Sequence, residues 1–195
     1  MQPEKTTPTR DRLIEAAGDL FLQRGIHCVG LGQVLKRVGI TKTTFYKYFD
    51  SKDSLAQAVL RRRSEWELQQ FREALSEEYE VGTAHFSPLF EVLNGWFLDR
   101  GYRGCPLNNA AAEFPEPTDP LHRVAAEHKT ALLRLVEERA ERAGLQSSSQ
   151  LADEVLLVVE GATSVRQVLG DRDAAKTAAR IASTMIDAAY KAAEE

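Results

Sequence analysis

Apolar residues recur at spacings of three and four along almost the whole chain, and that period constrains the fold more than any other feature. Leu13, Ile14, Ala17, Leu20 and Phe21 form one stripe behind a capping Thr9, and Gly25 ends it. Leu31, Val34, Leu35 and Val38 fit a second, short helix stopped by Gly39. Thr41 can cap a third, running to about Phe49, and a long fourth begins at Lys52 and passes through Leu55, Val59, Trp66 and Leu75. Beyond it, a helix is expected from about Ser87 and a short one around residues 108–113. Asp119-Pro120 pairs a capping side chain with a proline at the first helical position, ahead of a stripe of Leu121, Val124, His128, Leu132 and Leu135. Residues 147–149 open the next helix and Asp171-Arg-Asp the last. No stretch alternates as a strand would, and no repeat is present. The expected fold class is all-α.

Composition sets the outer bounds. At 195 residues with 43% hydrophobic content, the chain can bury a substantial core. No run is long and apolar enough for a membrane span. The opening MQPEKTTPTRDR is charged and lacks the apolar centre of a secretory signal. Cys28 and Cys105 are too few and too far apart for a disulfide framework. The expected location is cytoplasmic, with no membrane partner. The slightly negative net charge of −4 conceals an asymmetry. Residues 1–63 carry 12 Lys/Arg against 6 Asp/Glu, whereas the remainder carries 13 against 23. A basic amino-terminal third on an acidic body is the pattern expected when one end meets a polyanion.

The basic third contains GITKTTFYKYFDSKDSL, residues 39–55. On a helix, Phe45 and Phe49 lie one turn apart and can pack inward. Lys42, Thr43, Tyr46 and Lys47 are then left on the outer side. Lysine can donate to guanine O6 or N7, a threonine methyl can touch a thymine methyl, and hydroxyls reach phosphates. With the preceding helix and its glycine-containing turn, this is a helix-turn-helix pattern whose second helix reads bases. Lys52 adds a cation at the start of the next helix, a natural phosphate contact.

The segment GLGQVLKRVGITKTTFYKYFDSKDSLAQAV resembles the amino-terminal DNA-binding domain of TetR/AcrR-type transcriptional regulators. Gly39, Thr41, Thr44, Phe45, Tyr46, Tyr48, Phe49, Lys52 and Leu55 stand where that pattern wants them, and the match spans roughly residues 9–60. Gly32 departs from it and weakens the second helix slightly. The resemblance implies that Lys42, Thr43 and Lys47 face base edges, while Thr41, Thr44, Tyr46, Tyr48 and Lys52 hold the backbone. It implies a helix-turn-helix domain over residues 1–52 and a larger helical domain over 53–195 that binds an effector and dimerises. The implied function is a repressor released from a palindromic operator by a small molecule, with recognition helices ~34 Å apart.

Small residues on the last helix, among them Ala175, Ala178, Ala179, Ala182 and Ala189, permit close helix–helix approach. Dense apolar positions on the helix before it suit a pair that meets a second copy, so a homodimer through the last two helices is expected. The effector site is expected among Trp66, Phe90, Asn94, Trp96, Phe97, Cys105, Asn108, Asn109, Glu113 and His128, aromatic walls with a few polar groups to orient a ligand. Core packing alone would also explain the aromatics. Cys105, near a helix start and Arg103, could be a redox or electrophile sensor or a small buried hydrophobe. His122 and His128 are six apart and share no helix face, so no metal site is expected. No phosphate loop, nucleophile elbow or zinc-protease helix is present, so neither an enzyme nor a cofactor is expected. Two alternatives stay open: a dimeric DNA-binding regulator without a ligand, and one switched by oxidation of Cys105.

Overall fold

Glycines end the first two helices in the left-handed conformation that other residues rarely adopt. Gly25 has φ +81° and donates its N–H to Phe21 O at 2.8 Å. Gly39 has φ +77° and donates to Leu35 O at 2.9 Å. The computed structural model describes residues 8–76 and 86–194, and all regular structure among them is helical. The elements are α1 (Pro8–Arg24), α2 (Leu31–Val38), α3 (Lys42–Phe45), α4 (Lys52–Ala74), α5 (Ser87–Leu98), α6 (Pro106–Glu113), α7 (Pro120–Arg142), α8 (Ser148–Leu169) and α9 (Ala174–Glu194). The fold is all-α. No described helix is long and apolar enough to cross a membrane.

Caps settle the helix starts. Ser51 and Ser54 cap α4 reciprocally: Ser51 Oγ accepts from Ser54 N at 3.0 Å, and Ser54 Oγ accepts from Ser51 N at 3.1 Å. Asp119 Oδ1 accepts from Leu121 N at 2.7 Å, with Pro120 opening α7. Pro8 is already helical, so α1 starts one residue ahead of the expected cap at Thr9. The third helix is shorter than expected. Regular α-helix covers only Lys42–Phe45, after which Lys47 N and Tyr48 N donate three residues back, to Thr44 O and Phe45 O.

The chain forms two compact units. One comprises residues up to Glu65 together with Pro106–Ala126; the other comprises Trp66–Cys105 and Glu127–Glu195. This grouping differs from the expected break between residues 52 and 53. Helix α4 continues through that point, and the short α6 with the start of α7 groups with the amino-terminal helices. Within that unit the Glu113 carboxylate binds the backbone between α1 and α2.

In the first unit, Leu13, Ala17, Phe21, Val34, Val38, Phe45, Phe49 and Leu55 form the buried interior. Arg12 donates to Val38 O at 2.7 Å, tying α1 to the carboxyl end of α2. In the second unit, α9 packs against α8 and α5. Alanines 174, 175, 178 and 182 are buried there beside Phe90, Phe97, Val155 and Val159. Arg166 of α8, itself buried, donates to Phe97 O at 2.8 Å and Asp99 O at 3.3 Å. These carbonyls lie at the end of α5, where a cation also meets the helix dipole.

Candidate functional site

The helix-turn-helix surface is built by one short element with two opposed faces. Thr41 sits in extended conformation and its Oγ1 accepts from Thr44 N at 3.2 Å, the expected cap. Phe45 and Phe49 are buried and stack with centroids 5.8 Å apart. The Arg10 guanidinium lies 5.2 Å from the Phe49 ring. With both phenylalanines inside, Thr41, Lys42, Thr43, Tyr46 and Lys47 are exposed, and Thr44 and Tyr48 are half-buried. Lys42 Nζ lies 5.9 Å from the Tyr46 ring. Cations, hydroxyls and one aromatic ring are therefore collected on an exposed strip a few residues long.

Lys52 occupies a different environment from the one its sequence position suggests. Its Nζ donates to Ile26 O at 2.9 Å and Val29 O at 3.2 Å, holding the loop between α1 and α2. An ammonium has three N–H bonds, so one donor remains for a phosphate oxygen.

The residues expected to line an effector site divide between the two units. Asn108, Asn109 and Glu113 belong to α6 in the first. Glu113 is engaged there, accepting from Ile26 N at 3.0 Å and His27 N at 2.8 Å. Two adjacent amide donors thus satisfy both oxygens of this carboxylate. Trp66, Phe90, Asn94, Trp96, Phe97, Cys105 and His128 belong to the second unit. Phe90 and Phe97 are core residues. Trp96 packs on Phe71 at 5.0 Å and on the half-exposed Trp66 at 5.5 Å. Asn94 Oδ1 is buried with no hydrogen-bond partner among the described residues.

His128 has a partner that sequence alone did not reveal. Its Nε2 lies 3.4 Å from Glu67 Oε2, with His128 2% and Glu67 3% exposed. The neighbouring Lys129 reaches Glu160 Oε1 at 2.6 Å and Cys105 Sγ at 3.9 Å. Burial pulls the Lys129 ammonium down, but Cys105 and Glu160 facing it more than reverse this, leaving it raised. Tyr102 hydrogen-bonds Thr163 and lies under the Arg166 guanidinium at 5.1 Å. Burial drives its phenol up to about 12, against the lowering hydrogen bond to Thr163. Buried Glu67, His128 and Thr163 and partly buried Tyr102, Cys105, Lys129 and Glu160 thus form the polar groups of this unit. Their only sequence signal is a polar residue on an apolar stripe, visible at His128 and Thr163. Among the described residues, no group of three His, Cys, Asp or Glu is placed to hold a metal ion.

Known proteins share sequence and fold with this chain. A family model described as "Bacterial regulatory proteins, tetR family" matches residues 13–59, and one described as "Tetracyclin repressor-like, C-terminal domain" matches residues 82–182. The chain is 36% identical over 75 residues to the HTH-type transcriptional regulator UidR of Escherichia coli K12, a match spanning 38% of each chain. Likeness to that relative therefore covers well under half its length. The HTH-type transcriptional regulator YjdC of Escherichia coli K12 is 22% identical over 177 residues, 91% of this chain and 93% of that one. Among solved structures, SCO4454, a TetR-family transcriptional regulator from Streptomyces coelicolor, superimposes with a TM-score of 0.86 at 24% identity, covering 93% of this chain and 95% of that one. The reduced form of E. coli NemR gives 0.82 at 21%, covering 91% and 96%. At these identities the structural likeness shows a shared fold.

The Tyr102 environment generates a pH prediction. Unfolded, the phenol releases its proton near 10; folded, it keeps it to about 12. Between those values the folded state binds the extra proton, so stability falls as pH rises through the window. Tyr102→Phe should flatten that part of the curve, measured by urea unfolding from pH 9 upward. An unchanged slope would remove Tyr102 from the account.

Proposed function

This chain belongs to the TetR family of DNA-binding transcriptional regulators, and on that premise we propose that it is a homodimeric repressor released from a palindromic operator by a small molecule. The exposed face of α3 carries the DNA half of the reading. Lys42, Thr43 and Lys47 read base edges, and Thr41, Thr44, Tyr46 and Tyr48 hold the sugar-phosphate backbone together with Lys52.

Two observations in the second unit support the rest. On α8, Leu157, Val168 and Leu169 are 73%, 76% and 77% exposed, and Ile181 of α9 is also exposed. Leu157, Gly161, Val165 and Val168 share one helical stripe, with an open glycine in its middle that allows close backbone approach. An apolar stripe of this kind on the last two helices supports a two-fold helix pairing with a second copy. Asn94 Oδ1 without a partner, together with the buried His128–Glu67 pair, supports polar recognition of an effector within the same unit. The effector acts by preferring one arrangement of the dimer, and it lowers operator affinity only by that preference.

One contact favours a second reading, in which the signal is an oxidant. The Lys129 ammonium stands 3.9 Å from Cys105 Sγ, and a nearby cation is a feature of reactive thiols. Thiolate attack on hydrogen peroxide breaks the O–O bond, giving a sulfenic acid and hydroxide.

The operator reading is tested on the tightest duplex that the protein selects from a random-sequence pool. Lys42→Ala or Lys47→Ala should cost roughly 1–3 kcal/mol at particular base pairs and relax preference there. Tyr46→Phe should weaken all sequences about equally. A metabolite that raises the melting temperature should also release this duplex; one that stabilises without release sinks the repressor mechanism. Leu157→Arg combined with Val168→Arg should give a folded monomer by sedimentation, and a dimer that survives both changes would move the interface elsewhere. Under the oxidant reading, hydrogen peroxide weakens binding of the unmodified protein but not of Cys105→Ser. Equal loss in both would exclude Cys105 as the sensor.

A further inference from the structure

The loop joining α1 to α2 is gripped from two sides by opposite charges. Its carbonyls, Ile26 O and Val29 O, accept from Lys52 Nζ at 2.9 and 3.2 Å. Its amides, Ile26 N and His27 N, donate to the two carboxylate oxygens of Glu113 at 3.0 and 2.8 Å. The grip on the amide side is extended. His27 Nε2 donates to Glu113 O at 3.0 Å, and the imidazole stacks on Phe114 with centroids 4.3 Å apart. Gly25 makes this geometry available: it holds φ +81°, and a Cβ there would come within 3.1 Å of Glu113 Oε1. All these residues lie in one compact unit.

We propose that Glu113 is a positioning residue for operator binding: it touches no DNA, and it fixes the α1–α2 loop and hence the entry of α2 into the helix-turn-helix. Two features make the loop dependent on it. Helix α2 begins at Leu31 behind Gly30, which has no side chain to cap the free amides of the first turn, so its entry relies on contacts made to the loop from elsewhere. Its far end is held independently by Arg12 on Val38 O and by Arg37 on Asp19 at 2.6 Å, so with Glu113 lost and only Lys52 left on the loop, the loosened near end lets α2 tilt about its far end. Because α2 leads into α3 through the short turn at Gly39, such a tilt displaces the base-reading face.

The test uses the full-length protein and the duplex selected above. Glu113→Ala should weaken binding about tenfold at a temperature where circular dichroism shows it folded, less than outright loss of two charge-assisted contacts because Lys52 still holds the loop carbonyls. Glu113→Gln, which keeps one acceptor, should lie between that and the parent. The dependence of log K on log salt should keep its slope, because no phosphate contact is lost. Hydrogen exchange should quicken at the Ile26 and His27 amides. Gly25→Ala should weaken binding in the same way, and the double variant should show less than the sum of the two effects, since both act through one contact. Affinity within twofold of the parent while those amides exchange faster would overturn the proposal, since the loop would then be loose without consequence. A shallower salt slope overturns it too, as does unchanged amide exchange.

Discussion

The DNA-facing surface depends on the burial of Phe45 and Phe49. Helix α3 has four regular residues, far below the length at which an isolated helix persists in water. Its conformation is imposed from beneath, by two phenylalanines stacked in the interior, and from its amino end by the Thr41 cap. Fully burying a phenylalanine side chain contributes about 1.5–3 kcal/mol, so the pair outweighs the cap, at about 1 kcal/mol. The lysines and threonines on the outer face contribute little to holding the helix. They are therefore free to be selected for recognition, and the division of labour within nine residues is a division between faces.

Much of this organisation was legible in the amino-acid order. Gly25 and Gly39 stop helices because only glycine adopts their backbone angles easily, and Asp119-Pro120 starts one because both residues act locally. The faces of α3 followed from the spacing of Phe45 and Phe49. Interactions that depend on distant partners were hidden. Glu113 and His27 lie 86 positions apart, and no local pattern reports that a carboxylate near a proline-rich stretch will meet two loop amides. Glu67 and His128 lie on separate helices, so their pairing needs the packed fold. Lys52 shows the intermediate case: its place beside the recognition helix was evident, whereas its grip on two loop carbonyls was not.

Buried ionisable groups in the second unit stand out against this background. The buried pair is His128 against Glu67, while Lys129 between Cys105 and Glu160 is partly exposed. Replacing a buried pair by apolar residues is often neutral or stabilising, so the presence of His128 and Glu67 weakens a purely structural explanation.

The grouping of Pro106–Ala126 with the amino-terminal helices has a consequence for biosynthesis. On a ribosome the first 65 residues emerge early, but they lack Glu113 and so the clasp on their own loop. The unit that meets DNA is complete only once residue 126 has cleared the exit tunnel, by which time part of the second unit has also been made. The two units therefore mature in an interleaved order, and a nascent chain arrested before that point would carry the reading helix without its full brace.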